Sequence, residues 1–331
     1  MIDSMPNRQP FLPPILVLVF GILAVSTASI FIRKAQLEAP SLVIAAYRLT
    51  IATLVIAPFA LFRKRVELSS LSRREFLLAL LSGIFLAIHF ASWISSLEYT
   101  TVASSVVLVS TVPLWVALLA PVTIKESIYK LTLVGLGLAL IGGTIVGLSD
   151  TCTINPSGID CPTFQDLLRG QAFLGDMLAL IGAFAAAGYL IIGRNLRVKV
   201  SLTSYVFIVY GIAGVILIGF MLAAGQTPFG YSPITYLWFI LLGLIPQLIG
   251  HSTYNWALAF LSAAYVSIAL LGEPVGSSIL AYIFLQEMPS TLKIFGAVLI
   301  LFGIFLASRS EKYGNERTEN ERREKQRIIE T

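Results

Sequence analysis

The sequence predicts an all-α integral membrane protein with ten transmembrane helices, arranged as two inverted five-helix repeats. The first observation behind this prediction is composition: 56% of the 331 residues are hydrophobic and only 12% are charged. Soluble domains usually carry about twice that charged fraction. The second is that several apolar runs approach the ~20 residues needed to cross a hydrocarbon layer of about 30 Å. The third is a landmark-by-landmark match between the two halves of the chain.

Apolar runs, separated by glycine, proline and charged residues, delimit ten helices. Their predicted ranges are 14–33, 41–62, 75–97, 102–122, 129–149, 170–194, 202–225, 233–257, 260–286 and 290–309. Most connections are short, so neighbouring helices are expected to run antiparallel as a bundle. The predicted units are an N-terminal tail (1–13), a first repeat (14–149), an outside loop (150–169), a second repeat (170–309) and a charged tail (310–331).

The basic residues are concentrated on one side of the predicted bundle. If the N-terminus is cytoplasmic, 18 of the 23 Lys and Arg residues fall in the tails and loops on the inner side. Cytoplasmic segments of membrane proteins carry such an excess. The distribution therefore predicts a multi-pass plasma-membrane protein with both termini in the cytoplasm.

The longest loop, 150–169, contains both cysteines of the chain. It reads DTCTINPSGIDCPTFQDLLR, with Cys152 and Cys161 nine positions apart. On the outer side of a plasma membrane these cysteines would meet an oxidising environment, which permits a disulfide. Two free thiols are the alternative, because sequence spacing alone fixes no bridge geometry.

The two halves repeat the same landmarks without a gap. A proline precedes a glutamate by 13 residues, and glycines follow that glutamate by 9 and 16. The matching positions are Pro113, Glu126, Gly135 and Gly142 in the first half and Pro274, Glu287, Gly296 and Gly303 in the second. Because each half holds an odd number of helices, the second copy must cross the membrane in the opposite sense. Inverted repeats of this kind are typical of secondary transporters, which bind substrate near the midplane.

Several segments resemble the EamA-type branch of the drug/metabolite transporter superfamily. They are ASIFIRKAQLEAPSLVIAAYRL, SSLEYTTVASSVVLVSTVPLWVALLAPVTIKE and GLGLALIGGTIV in the first half, and LGEPVGSSILAYIFLQE and FGAVLILFGIFLAS in the second. The resemblance covers about residues 14–309. It implies ten helices in two inverted units, cytoplasmic termini and transport of a small organic solute. Substrates in this family range over amino acids, nucleosides, sugars, other metabolites and drugs, so the resemblance leaves the substrate open.

Glu273 is the first candidate functional residue, because a charge in an apolar span is costly and needs a partner. It lies about 13 residues into the predicted helix 260–286, or ~20 Å along it. Its counterpart in the first repeat is Val112. The carboxylate is expected either to bind a proton or to recognise a substrate amine. The alternative is a fixed salt bridge, or a hydrogen bond where Pro274 interrupts the backbone ladder.

Three other ionisable residues have structural interpretations. Arg48 lies one or two turns inside the outer end of its helix, so it is expected to reach the membrane interface as an anchor. Binding a substrate carboxylate is the alternative. Glu126 and Glu287 end their helices at opposite faces and are expected to make loop hydrogen bonds, or to place charge near the next helix.

Two polar stripes at helical spacing predict an aromatic cavity inside the bundle. One comprises Gln247, His251, Tyr254 and Asn255, and the other His89, Ser92, Trp93 and Ser96; Tyr189 and Tyr282 are additional candidates. Such stripes should face a cavity or the bundle interior rather than lipid. The alternative for each stripe is interhelical hydrogen bonding in a packed bundle. The two histidines are expected to pack or relay protons, not to bind metal.

Taken together, these features predict a secondary transporter, with export the favoured direction, working by alternating access. The chain has no nucleotide-binding G-x-x-x-x-G-K-[ST] loop and no G-x-S-x-G or H-E-x-x-H motif. No cofactor, metal or nucleic acid is expected, only a small-molecule solute and the lipid bilayer. The sequence does not predict the oligomeric state. An integral-membrane enzyme and an uncoupled channel remain alternatives, and saturable counter-flow transport would exclude a channel.

Overall fold

The first half of the chain is helical almost throughout. The computed structural model describes residues 10, 12–100, 105, 108–126, 128–148, 153–155, 158–160, 171–285, 289–292, 294–307 and 309–310. Up to residue 148 the helices are α1 (Pro14–Ser26), α2 (Ala28–Ala35), α3 (Ser41–Arg63), α4 (Arg65–Ser70), α5 (Arg73–Tyr99), α6 (Val112–Thr123) and α7 (Lys130–Leu148).

A short antiparallel hairpin lies between the two halves, and the described part of the second half is helical. The elements are β1 (Thr153–Asn155), β2 (Gly158–Asp160), α8 (Gln171–Arg197), α9 (Leu202–Ala223), α10 (Pro233–Leu242), a π-helix (Gly243–His251), α11 (Ser252–Ala257), α12 (Ala263–Leu270), α13 (Glu273–Leu285) and α14 (Ile294–Ala307). In the hairpin, Thr153 pairs with Asp160 and Asn155 with Gly158. The hairpin is not part of the predicted all-α fold.

Serine residues cap the N-termini of four helices. At α5, the Ser72 hydroxyl accepts from the Glu75 N–H while the Glu75 carboxylate accepts from the Ser72 N–H, which makes a capping box. The side chains of Ser201, Ser232 and Ser262 accept the corresponding bonds at α9, α10 and α12. Each cap satisfies a backbone donor that the helix itself leaves unpaired, so these residues set where the helices begin.

The structure is that of an all-helical membrane protein. Within the described residues, six helical stretches are long and apolar enough to cross a membrane: Pro14–Ala35, Ser41–Arg63, Arg73–Tyr99, Phe173–Arg197, Leu202–Ala223 and Pro233–Ala257. Shorter apolar helices accompany them, including α6 and α14. Large apolar side chains such as Phe20, Leu54 and Val215 are more than half exposed, as expected for surfaces that face lipid.

Two predicted continuous helices are interrupted in the structure. The predicted helix 233–257 has its predicted limits but contains the π-helix between α10 and α11. The predicted helix 260–286 is broken at Leu271 and Gly272, between α12 and α13. The prediction that Glu273 lies within a continuous helix is therefore wrong. Instead, Glu273 is the first residue of a new helical segment.

Polar contacts show which connections between helices lie at the same end of the bundle. We call the end at which Pro14 lies the near end, and the end at which Ser41 lies the far end. At the near end, the Ser201 N–H donates to Glu67 (2.6 Å). At the far end, the Ser41 N–H donates to Glu98 (2.9 Å), and the Ser232 N–H donates to Glu38 (2.9 Å).

The Glu38 carboxylate accepts several hydrogen bonds at the N-terminus of α10. The backbone and hydroxyl of Ser232 and the hydroxyl of Thr235 all donate to the Glu38 carboxylate. These hydrogen bonds lower the pKa of Glu38 below its usual value. The carboxylate therefore joins the α2–α3 connection of the first half to the start of α10 in the second half.

Backbones of α7 and α14 approach closely at two glycine contacts. A Cβ on Gly135 would lie 2.5 Å from the Gly303 carbonyl oxygen, and one on Gly142 would lie 2.6 Å from that of Gly296. These four glycines are the landmarks that relate the two halves in the sequence. The equivalent of Gly135 is Gly296, and that of Gly142 is Gly303, so the two contacts exchange under the repeat.

Candidate functional site

A cavity of about 90 Å³ lies inside the bundle, among helices from both halves. Its aromatic and ionisable lining residues are His89 and Trp93 from α5, Tyr189 from α8, His251 and Tyr254 from the π-helix and α11, and Glu273 from α13, and the hydroxyl residues Ser110 and Ser267 also line it. The rest of the described lining is largely aliphatic. The cavity thus combines aromatic walls with one carboxylate.

Two helix breaks meet at this cavity. In the second half, Glu273 begins α13 and Pro274 follows it. In the first half, Val112 begins α6 and Pro113 follows it. Proline is favoured in a first helical turn because it has no N–H to leave unpaired. Val112, Pro113 and Glu273 all line the cavity, so the prolines shared by the repeats mark where each span is interrupted.

The Glu273 carboxylate is half-buried and faces the cavity. No described residue makes a hydrogen bond or an ion pair with this carboxylate, whereas its backbone carbonyl accepts from the Ser26 hydroxyl (3.1 Å). The positive end of the α13 dipole favours a negative charge at this position. Glu273 also interacts electrostatically with Arg48 and Tyr254. The carboxylate therefore keeps its lone pairs available to a bound group.

Arg48 is completely buried, which contradicts the prediction that it reaches the membrane interface. Its Nε donates to the Gln247 side-chain oxygen (2.8 Å). Its guanidinium carbon lies 4.3 Å from the centroid of the Phe90 ring, a cation–π distance. These two contacts hold the side chain inside the bundle. The π-helix supplies Gln247, and sequence periodicity did not predict that helix.

The rings of both histidines lie close to the Phe90 ring. The His89 ring nitrogen Nδ1 is 2.9 Å from the Gly182 carbonyl oxygen, and its ring stacks on Trp93 with centroids 5.8 Å apart. The His251 ring lies 5.2 Å from Phe90. Among the described residues no His, Cys, Asp and Glu cluster could hold a metal ion. Both histidines line the cavity, and Phe90, which they contact, also packs against Arg48.

Asn255 lies behind the cavity wall and joins three helices. Its amide donates to the hydroxyls of Tyr189 and of Tyr210 (3.3 Å). Its backbone carbonyl oxygen accepts from the Arg197 Nε–H (2.9 Å). Tyr210 in turn contacts the Ser252 hydroxyl (3.2 Å). Asn255 thus orients Tyr189 toward the cavity and does not itself line it.

Several buried polar atoms around the cavity have no partner among the described residues. They are Nη1 and Nη2 of Arg48, Nε1 of Trp93, Nδ1 of His251 and Oδ1 of Asn255. Buried polar atoms are paired in most native structures, and an unpaired one costs about 1–3 kcal/mol. Such atoms near one cavity are typical of a site that binds polar groups.

The structure divides the predicted stripes between the cavity and its supporting layer. His89, Trp93, Tyr189, His251, Tyr254 and Glu273 line the cavity, whereas Gln247 and Asn255 are fully buried behind it. Ser96 bonds to Ser105 (2.5 Å) in the packed bundle. Tyr282 is 45% exposed and is not among the lining residues, so its predicted place in the cavity is wrong. Cys152, Cys161 and Glu287 lie outside the described residues.

Sequence reasoning missed Phe90 and Tyr210. Both are fully buried and contact the predicted site residues. No sequence signal distinguishes them from the many other aromatic residues of the bundle. Arg48 did carry a signal, because a basic residue two turns inside an apolar helix is unusual.

A polar network closes the near end, about one turn from the cavity. Glu126 accepts from Arg194 (3.1 Å) and from the Ala263 N–H (3.0 Å), and Arg194 also donates to the Leu258 carbonyl (2.8 Å). Lys125, just before Glu126, has a left-handed backbone with φ of 56°. A lysine in this region is strained by about 1–2 kcal/mol. The network therefore ties the α6–α7 connection of the first half to α8 and α12 of the second.

Comparisons with known proteins agree with this architecture. Residues 12–148 and 173–309 each match the EamA-like transporter family. A protein of Archaeoglobus fulgidus described as an uncharacterized transporter is 23% identical over 301 residues, which span 89% of this chain and 97% of that relative. A protein of known crystal structure superposes with a TM-score of 0.73 at 16% identity, over 91% of this chain and 98% of the other. At that identity the superposition supports the fold alone.

Proposed function

The chain belongs to the EamA-like transporter family, and from this premise we propose that it is a secondary carrier that moves a small organic solute by alternating access. It is a multi-pass membrane transporter rather than an enzyme. The observation that carries the proposal is the cavity enclosed between both halves, with the carboxylate of Glu273 at a helix break. Broken helices at a repeat interface are where secondary transporters bind substrates and coupling ions.

We further propose ten spans in two inverted repeats. Corresponding helices begin 161 residues apart: α3 at Ser41 and α9 at Leu202, and α6 at Val112 and α13 at Glu273. The exchanged glycine contacts between α7 and α14 support a pseudo-twofold axis between the halves. The excess of Lys and Arg at the near end supports a cytoplasmic location for that end.

In this proposal the described conformation is closed toward the near end. The Glu126–Arg194 pair and its backbone contacts lie between the cavity and that end. A cavity of about 90 Å³ is also smaller than the ~300–1,000 Å³ of typical ligand sites. The carrier is therefore expected to widen the cavity and break the near-end network during each transport cycle.

The test is transport by purified protein in lipid vesicles. A thermal-shift screen against metabolites selects a candidate solute, and vesicles loaded with that solute should show saturable uptake stimulated by counter-flow. If Glu273 binds the solute or a coupling proton, Glu273→Gln should lower uptake at least tenfold or abolish its pH dependence. The Glu75→Gln variant, which alters an exposed capping residue, serves as the control. Unchanged uptake and pH dependence in Glu273→Gln would remove this residue from the mechanism.

A further inference from the structure

We infer that the cavity recognises a zwitterionic solute, with Glu273 binding its ammonium group and Arg48 binding its carboxylate. This inference rests on the proposed function and adds the charge class of the substrate. It assigns to Arg48 a binding role in place of the anchoring role that the sequence predicts.

Arg48 has the donors that such a role requires. Its Nε is used by Gln247, whereas Nη1 and Nη2 are fully buried and have no partner among the described residues. Two parallel N–H donors on a planar guanidinium match the geometry of a carboxylate. Leaving both donors unpaired in the interior is costly, so a transient anionic partner accounts for their arrangement.

The position of Arg48 relative to the cavity permits this binding. Its guanidinium lies over the Phe90 ring, and the rings of His89 (4.8 Å) and His251 (5.2 Å), which both line the cavity, also lie close to Phe90. Arg48 also interacts electrostatically with Glu273 and with the cavity residues Tyr189 and Tyr254. The guanidinium therefore packs on a ring that also contacts two cavity-lining residues, and in this inference a movement of the Phe90 side chain gives the solute access to Arg48.

Each charge occurs in only one of the two repeats, Arg48 in the first and Glu273 in the second. At the spacing of 161 residues, the counterpart of Arg48 is Val209 and that of Glu273 is Val112. A charge needed for the shared five-helix scaffold would be expected in both repeats. The two charges are therefore not required by the fold that the repeats share. Glu273 lines the cavity, and Arg48 packs on Phe90, which contacts the lining residues His89 and His251.

Electroneutrality favours a zwitterion over a simple cation or anion. Arg48 and an ionised Glu273 have no net charge together, and a net charge in a low-dielectric site is expensive. A zwitterion adds one charge of each sign and keeps the site neutral. An amine alone would leave the Arg48 charge without a counter-charge, and a carboxylate alone would do the same to Glu273.

The experiment compares matched compounds that differ only in charge. Valine, valinamide and N-acetylvaline share one aliphatic body but are zwitterionic, cationic and anionic, and alanine and phenylalanine series extend the range of sizes. In at least one series, the zwitterion should produce a given thermal stabilisation of the purified wild-type protein at a concentration at least tenfold lower than the amide or the N-acetyl compound requires. Equal or stronger stabilisation by the amide or the N-acetyl compound would overturn the inference, as would no stabilisation by any series.

Two variants separate recognition from structural damage. In Glu273→Gln the remaining Arg48 should make the N-acetyl compound bind at least as well as the zwitterion. In Arg48→Met the remaining Glu273 should make the amide bind at least as well. A purely structural role would weaken all three compounds alike and would contradict the inference. Counter-flow of another metabolite with no zwitterion preference would refute the inference and leave the proposed carrier function intact.

Discussion

At the scale of single residues, Arg48 and Glu273 are the features that a packed helical bundle does not require. Each is costly inside a membrane protein, and each interacts electrostatically with the other. The sequence identified Glu273 from its place in an apolar run. It misjudged Arg48, because the contacts that hold this side chain inward come from Gln247 and Phe90, 199 and 42 positions away in the chain.

The coupling of these two charges predicts a non-additive effect on stability. Arg48→Met should destabilise the protein by about 3 kcal/mol, because it leaves the Glu273 charge uncompensated in the interior. Adding Glu273→Gln should recover about 1 kcal/mol or more, since that change removes the orphaned charge. Thermal unfolding of the two single variants and the double variant in detergent measures the coupling.

The control for that cycle is Arg65→Met, at an exposed position. It should change the free energy of unfolding by no more than about 0.5 kcal/mol. Strictly additive effects of Arg48→Met and Glu273→Gln would show that the two charges do not interact.

At the scale of elements, the sequence predicted which segments are helical but not where the helices change geometry. Length, apolar content and serine caps are local properties, so the limits of helices such as α3 and α9 follow closely from the chain. The π-helix Gly243–His251 contains Pro246, and Pro274 follows the break before Glu273, but a proline permits a bend, a break or a change of hydrogen-bonding pattern and does not say which one occurs. For this reason the predicted stripe from Gln247 to Asn255 is split between the cavity and its supporting layer.

The contact between α7 and α14 predicts a position-specific effect of adding one methyl group. Gly135→Ala would place a Cβ 2.5 Å from the Gly303 carbonyl oxygen, and a helix backbone cannot yield as a flexible side chain can. We expect a loss of about 1–3 kcal/mol of unfolding free energy. On the same helix, a Cβ on Gly137 would meet nothing within 4 Å, so Gly137→Ala should be neutral or stabilise by up to about 1 kcal/mol. Equal thermal shifts for the two variants would argue against the close contact.

The β1–β2 register predicts the redox state of the two cysteines. Thr153 pairs with Asp160, and Cys152 and Cys161, the next residue beyond each of them in the sequence, lie outside the described residues. Antiparallel partners have Cα atoms about 4.5–5.5 Å apart, within the range of about 4.4–6.8 Å that a disulfide spans. Protein purified without reductant and then denatured should bind maleimide only after reduction. Two maleimide groups bound before reduction would show free thiols instead.

At the scale of the whole molecule, the repeat predicts one ion-pair latch at each end of the pathway. Glu126 pairs with Arg194 at the near end. The spacing of 161 residues relates Glu126 to Glu287 and Arg194 to Arg33. Although Glu287 lies outside the described residues, alternating access between inverted repeats requires an equivalent closure at the far end. We therefore expect Glu287 and Arg33 to form the far-end latch when the near end is open.

Labelling of a cysteine in the cavity tests the two latches. Ser110→Cys, at a lining position, is introduced after Cys152 and Cys161 are replaced by serine. Glu126→Gln or Arg194→Gln should speed labelling by a membrane-impermeant maleimide several-fold from the near-end side. Glu287→Gln or Arg33→Gln should do so from the opposite side. Glu75→Gln, which changes a near-end capping residue of α5, should have no effect, and faster labelling from one side in all four variants would contradict reciprocal latches.

Val112 and Glu273 begin equivalent helices and line the same cavity, but only Glu273 carries a carboxylate. Two identical five-helix units around a twofold axis would place the same group at both positions. Two carboxylates would then share one cavity of about 90 Å³ and repel each other. Joining the two units in one polypeptide lets their sequences differ, so Glu273 can occupy the position in one unit that Val112 occupies in the other. The two ends of a bound solute then contact different groups. A bundle whose two halves pack almost symmetrically can therefore bind its solute in one orientation.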